Sequence, residues 1–199
     1  MPSVYYKEAH PDWYHDISKM DVLILGNFPP HKKRWDYEFY YPNKMNNFWK
    51  ILAAINGKPL KEMKGEAAVV ERKRLMEKLH VGVYNIAKTI LRKGLSARDS
   101  DIKITEFNDV LSIIYRHKEL RKIILAGYSA KNSTARKFMD YLVLNKIPFE
   151  KPVQIKPGAE FKIKIKDREV QCVILNSTST AFPIKPEKLI EQFLPHIKI

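Results

Sequence analysis

The stretch from Met20 to Leu52, MDVLILGNFPPHKKRWDYEFYYPNKMNNFWKIL, constrains the fold more than any other part of the chain. It opens with Val22-Leu23-Ile24-Leu25, a run with the length and branching of a buried strand. Gly26 ends the run, and Pro29-Pro30 forces an extended exit that no helix can continue. A polar, aromatic loop follows, from His31 through Trp35 to the pair Tyr40-Tyr41. Asn46-Asn47 then leads into Phe48-Trp49-Lys50-Ile51-Leu52, the apolar start of a helix. A buried strand that delivers a glycine turn and a long loop to its carboxyl end is how open α/β sheets build sites. Near the other end, Val173-Ile174-Leu175 runs out through Asn176 into Ser177-Thr178-Ser179-Thr180-Ala181. Two such strand ends, far apart in sequence, can close on one pocket.

Between these stretches the pattern alternates helix and strand. Residues 1–19 are aromatic and polar (Tyr5, Tyr6, Trp13, Tyr14) and are expected to form an N-terminal arm with a short helix. Helices are expected over about 47–55 and 66–79. The second buries Ala68, Leu75, Met76 and Leu79 and turns Glu71, Arg72, Lys73 and Arg74 to water. Val81 to Ala87 suits a strand feeding a loop over 88–100, and Thr105 suits the N-cap of a helix over 105–115. Ile123-Ile124-Leu125-Ala126 reads as a third buried strand ended by Gly127, followed by a helix over 131–145. Phe161-Lys162-Ile163-Lys164-Ile165 alternates strictly, as a half-exposed edge strand guarded by lysines would, and turns at Asp167-Arg168 into the apolar strand 170–175. The last helix begins at Pro186 and is expected to bury Leu189, Ile190, Phe193 and Leu194. This order implies an α/β fold with a mostly parallel sheet and helices on both faces, in a single domain over 1–199.

Composition narrows the function classes. Lys and Arg number 36 against 22 Asp and Glu, a net charge of +14, which favours a polyanionic partner such as nucleic acid. One cysteine, Cys172, excludes an intrachain disulfide, and neither it nor the six histidines shows the spacing of a zinc or iron–sulfur site. No apolar run approaches the roughly 20 residues of a membrane span, and residues 1–16 lack a signal-peptide core. The expected setting is therefore the cytoplasm, with no metal, no cofactor and no membrane, and a monomer is the simplest state. A Walker-type phosphate loop and a GxGxxG turn after a strand are both absent. The loops over 26–47, 84–101 and 176–181 are rich in Asn, Ser, Thr and aromatics, and poor in paired acids. Such side chains suit recognition of a base and a phosphate better than a hydrolase triad.

GNFPP at 26–30, YYPNKMNNFWKIL at 40–52 and LNSTSTA at 175–181 resemble the uracil-DNA glycosylase superfamily, and most of all its mismatch-specific and hypoxanthine-type branches. Gly82-Val83-Tyr84-Asn85 followed by Asp99-Ser100-Asp101-Ile102 adds to the likeness, which spans about 21–182. The resemblance implies a three-layer α/β/α sandwich on a central, mostly parallel four-stranded sheet. It also implies base excision: a deaminated base, uracil or hypoxanthine, is flipped from DNA and its N-glycosidic bond is hydrolysed. On that pattern Tyr41 would stack on the base, with Gly26, Phe28, Phe48 and Ser177 around it. Asn46, Asn85 and Asn27 are the candidate catalytic groups, and backbone N–H groups after Gly26 would stabilise charge on the leaving base. Ser177, Thr178 and Ser179 would hold the phosphates flanking the flipped nucleotide, and Lys32, Lys33, Arg34 and Lys44 would meet the DNA backbone.

The chain also departs from the family pattern. Phe28 stands where the mismatch-specific branch has its asparagine, and Pro30 replaces the turn's glycine. Asn176 and Thr180 replace the prolines of the late motif, and Asn85 the usual acid. A non-catalytic nucleic-acid-binding module on the same fold is the alternative, and an enzyme of free nucleosides fits the charge less well.

Overall fold

Residues 4–96 and 98–197 are described in a computed structural model of the chain. The sheet that organises them contains β2 (Val22–Gly26), β3 (Val81–Asn85), β6 (Lys122–Ala126), β7 (Glu160–Ile165) and β8 (Arg168–Leu175), in the order β3-β2-β6-β8-β7. The first four of these in space are parallel neighbours, and β7 closes the edge antiparallel to β8. The sheet thus has five strands rather than the expected four. The lysine-alternating segment pairs along its whole length, from Glu160 opposite Val173 to Ile165 opposite Arg168. Its burial alternates as its sequence does, with Phe161, Ile163 and Ile165 inward. Every residue of β2 is buried, which is why its sequence is a continuous apolar run rather than an alternation.

From β2 the chain passes through α1 (Phe48–Ile55) and α2 (Gly65–Leu79) to β3 on one side, then returns past β2 to β6 on the other. The order reverses at β2, so its carboxyl end opens onto a crevice between diverging connections. α1 packs on α2 and on α5 (Pro186–Ile197), and α4 (Thr134–Leu144) packs on β6. Tyr141 of α4 accepts a hydrogen bond from the Leu111 backbone of α3 (Val110–Arg116). Arg168 donates to four backbone carbonyls, those of Ile114, His117, Lys118 and Leu120, and so satisfies the end of α3 that the helix itself leaves open.

A second, antiparallel sheet was not anticipated. β1 (Tyr5–Ala9), β4 (Ala87–Lys93) and β5 (Ile102–Phe107) pair in the order β1-β4-β5. The N-terminal arm is therefore a strand and not a helix. The segment after Ala87 is a strand rather than a loop, and α3 starts at Val110. Asp109, not Thr105, caps α3 by accepting from the Ser112 backbone, while Thr105 donates its hydroxyl to the Thr89 carbonyl across the sheet. Two helix faces also differ from expectation. Arg72 is buried, with its guanidinium 4.3 Å from the Tyr37 ring and bonded to the Glu62 and Ala68 carbonyls. Leu194 is exposed.

The small sheet has its own apolar centre in Ala87, Ile90 and Ile102, against which Phe28 and Ile104 pack. Arg92 ties this sheet to the loop after β2. Its side chain is fully buried and makes two bonds to the Glu8 carboxylate, at 2.8 and 3.0 Å. Two more reach the carbonyls of Pro29 and Ser96, both at 2.7 Å. Removing one partner of such a pair leaves a buried charge without compensation. Glu8→Ala is therefore expected to lower unfolding free energy by about 3 kcal/mol in urea denaturation, and a loss under about 1 kcal/mol would contradict this placement.

Candidate active site

The carboxyl ends of β2, β3, β6 and β8 border one cleft of about 670 Å³, a volume that suits a small organic group. Gly26, Asn27 and Phe28 enter from β2, Asn85 from β3, and Ser177 to Ser179 from β8. Tyr41 and Asn46 come from the long loop before α1. Segments far apart in sequence thus meet, those of β2 and β8 more than a hundred residues apart, as the two strand-end motifs suggested. Sequence reasoning missed the fourth wall, Gly127 to Ala130 after β6, whose only sign was the glycine at the strand end.

Gly26 is required by close approach. A Cβ there would lie 2.7 Å from Asn85 Oδ1 and 2.9 Å from the Tyr41 hydroxyl. Both polar groups therefore stand directly over the end of β2. Tyr41 adopts φ 48°, a left-handed conformation unusual for an aromatic residue, and its carbonyl accepts from the Tyr37 hydroxyl at 2.6 Å. Phe48 covers one face of its ring, stacked at 3.8 Å and 14°. Phe48 is buried behind Tyr41 and does not line the cleft. The Tyr41 hydroxyl is buried without a hydrogen-bond partner, and burial raises its pKa so far that the phenol stays protonated. It is a donor waiting for an acceptor.

The three asparagines are held differently. Asn46 Oδ1 accepts from the Phe48 backbone N–H and from the Thr178 hydroxyl, each at 2.9 Å. Both acceptor directions of the amide are used at the start of α1, which leaves its N–H₂ group for the cleft. Asn85 Nδ2 donates to His10 Nε2 at 3.1 Å, so Oδ1 is the end that faces Gly26 and Tyr41. Asn27 Nδ2 donates to the Asn132 carbonyl at 2.7 Å, and its Oδ1 is buried with no partner. The three asparagines and Tyr41 thus leave uncommitted one amide donor, on Asn46, two amide acceptors, on Asn85 and Asn27, and one phenol donor.

The β8 loop serves the site in two ways. Thr178 is buried, with its hydroxyl spent on Asn46 and its carbonyl accepting from the Asn47 N–H at 3.1 Å. Ser177 and Ser179 are half-exposed and form successive turns, each hydroxyl accepting from the backbone two residues on at 3.3 Å. Of the four basic residues singled out, Arg34 lines the cleft. Lys32 pairs with Glu38 at 3.1 Å and Lys44 with Asp36 at 3.4 Å on the surface, and Lys33 stands exposed next to Arg34.

Two titratable residues at the site were not among the candidate residues, although Asp99 lies in the 84–101 stretch that the sequence marked. His10, from the arm, sits behind Asn85 and donates Nδ1–H to the Pro11 carbonyl at 2.6 Å, which fixes the tautomer whose Nε2 accepts from Asn85. Asp99, in a 3-10 turn (Asp99–Asp101) between β4 and β5, lines the cleft from the small sheet. Burial raises its carboxyl to about 6, against the opposing pull of Asn27 and Arg92. Among the described residues no three His, Cys, Asp or Glu side chains group as metal ligands, and no helix is long and apolar enough to cross a membrane.

No protein-family profile matches the chain. Over 110 residues it is 27% identical to the hypoxanthine DNA glycosylase of Methanosarcina acetivorans, a match covering 55% of this chain and 65% of that protein. The chain thus spans just under two thirds of the curated relative it matches. The chain resembles the uracil-DNA glycosylase superfamily and its hypoxanthine branch. The solution NMR structure of a candidate uracil DNA glycosylase from Methanosarcina acetivorans has the same fold, with a TM-score of 0.59 and 21% identity over 96% of this chain and 98% of that one. The five-stranded, mostly parallel sheet and its helices are thus a uracil-DNA glycosylase-like arrangement.

His10 offers a direct check on the interior of this site. Burial lowers its pKa from 6.5 to about 4. The unfolded chain takes up that proton at higher pH, so this group weakens folding as pH falls below 6.5, until the folded form is itself protonated near 4. The His10 ring protons should titrate in NMR with a midpoint near 4; a midpoint near 6.5 would contradict the Asn85–His10 contact.

Proposed function

We propose that the protein is a DNA glycosylase that flips a deaminated base, uracil or hypoxanthine, into the cleft and hydrolyses its N-glycosidic bond. The observation that carries this reading is the Asn46 N–H₂ group left free at the cleft, beside a Tyr41 hydroxyl buried without a partner, at the reversal point of the sheet. Uracil and hypoxanthine both present carbonyl oxygens on their edges, and both leave as anions once the glycosidic bond breaks. Donors aimed at such an oxygen bind the transition state more strongly than the neutral base, which is electrostatic catalysis without a covalent intermediate. Asn85 Oδ1 is an acceptor for a ring N–H or a water. The bifurcated anchoring of Asn46 matters because a donor fixed in advance needs no reorganisation during the reaction.

The same reading gives the remaining residues their work. Tyr41, backed by Phe48, presents its ring to the cleft where the base would lie. The turns at Ser177 and Ser179 and the cations Lys32, Lys33, Arg34 and Lys44 contact the phosphates of DNA strained by extrusion of the base, which costs a few kcal/mol. The exposed pair Lys32–Glu38 is weak in water and exchanges readily for phosphate. Relatives named as a hypoxanthine and a candidate uracil DNA glycosylase support the reaction class. The net charge of +14 supports a polymeric substrate over a free nucleoside.

The test is single-turnover cleavage of oligonucleotides carrying one uracil or one hypoxanthine, with abasic sites revealed by alkali. Wild-type protein should release at least one of these bases. Asn46→Ala should be slower by roughly 10²–10³-fold, the usual loss of one preorganised donor. No release from any substrate at enzyme excess, with DNA binding intact, would leave a binding module instead.

A further inference from the structure

Asp99 is the one carboxylate that lines the cleft among the described residues. No histidine lines it, the Tyr41 phenol is held protonated, and the amides of Asn27, Asn46 and Asn85 cannot accept a proton. Asn85, the residue that β3 brings to the cleft, is an amide and supplies no base. Asp99 enters instead from the small antiparallel sheet, on a turn fixed at both ends. Arg92 of β4 holds the Ser96 carbonyl at 2.7 Å just before it, and Ser96 donates its hydroxyl to Asp101 at 2.7 Å just after it. The side chain faces Asn27, whose Oδ1 is buried and unpartnered, and lies near enough to Tyr41 to oppose ionisation of that phenol.

Resting on the glycosylase reading, we infer that Asp99 is the group that activates water for the hydrolysis, a carboxylate supplied to the cleft by the small sheet. The glycosidic C1′–N bond breaks with its electron pair passing to the base, whose charge the Asn46 and Tyr41 donors receive. The water oxygen bonds to C1′ and its proton passes to the Asp99 carboxylate, which later returns it to the departed base. Bonds and charge balance without metal or cofactor.

The charged and titratable groups around Asp99 set when it can act. Arg92, tied to Glu8 of β1, favours the carboxylate, and Asn27 favours it too. Arg34 and Arg98 lie on the same cleft, while Asp101 is engaged by Ser96 and His10 is turned to Asn85 and Pro11. Burial outweighs the favourable contacts and places the proton-accepting form above a pH of about 6. A carboxyl whose folded pKa is raised costs stability once ionised, so Asp99→Asn should be at least as stable as wild type at pH 7. A purely structural role predicts the opposite.

The experiment is a pH series of single-turnover rates for wild type, Asp99→Asn and Asp99→Glu, on a duplex carrying uracil or hypoxanthine. Affinity for the same duplex with a cleavage-resistant 2′-fluoro nucleotide is measured alongside. Wild type should rise through a midpoint near 6 to a plateau. Asp99→Asn should lose that limb and be slower by roughly 10²–10⁴-fold, Asp99→Glu should keep the limb at a reduced rate, and affinities should agree within about threefold. An Asp99→Asn rate within about threefold of wild type, or one with the same pH limb, would overturn the assignment of Asp99 and leave the glycosylase reading intact. Wild type that binds the duplex and releases no base would overturn both.

Discussion

The Arg92 guanidinium holds together the parts of this molecule that must meet at the cleft. It is fully buried and bonds to β1 through Glu8, to the loop after β2 through the Pro29 carbonyl, and to the turn before Asp99 through the Ser96 carbonyl. A buried charge is expensive unless it is paired and hydrogen-bonded, and here the two Glu8 oxygens and two carbonyls take four of the five guanidinium donors. Its position also keeps a positive charge 5.7 Å from the Phe28 ring and near Asp99. The small sheet is thereby more than a cover on one edge. It is the support from which the cleft's carboxylate is delivered.

The cleft shows a division of labour set by hydrogen-bond accounting. Groups that would otherwise be ambiguous are committed at one end. Asn46 is committed through its oxygen to α1 and Thr178, and Asn85 through its nitrogen to His10. What remains exposed to the cleft is a donor in one case and an acceptor in the other. Gly26 makes this possible, since any side chain there would occupy the space of Asn85 and Tyr41. The local sequence YYPNKMNNFW fixes that donor by turning the Asn46 oxygen onto the first N–H of α1, which leaves the other end of the amide free.

Much of this was legible in the chain. The apolar runs at 22–25, 123–126 and 170–175 announced buried parallel strands because each is short, rich in branched residues and ended by glycine or asparagine. The meeting of the β2 and β8 ends followed from the same logic. The small sheet was hidden because its strands, AKTILRK and IKITEF, are short, mixed in polarity and stabilised by pairing at long range, so Thr105 looked like a helix cap. Arg72 was placed in water because its charge, not its carbonyl partners and the Tyr37 ring, is what sequence displays. Asp99 and His10 escaped for a related reason: each reaches the site only through the sheet that was missed. Their neighbours in space, Asn27 and Asn85, lie more than seventy residues away.

Whether Asn46 and Tyr41 hold a flipped base at the end of β2 is decided by a crystal structure of the protein bound to a duplex containing cleavage-resistant 2′-fluoro-deoxyuridine or its hypoxanthine counterpart. The base is expected out of the helical stack, with a carbonyl oxygen within hydrogen-bond distance of Asn46 Nδ2 and the Tyr41 hydroxyl. A base still stacked in the duplex, or extruded against a surface other than this cleft, would contradict it.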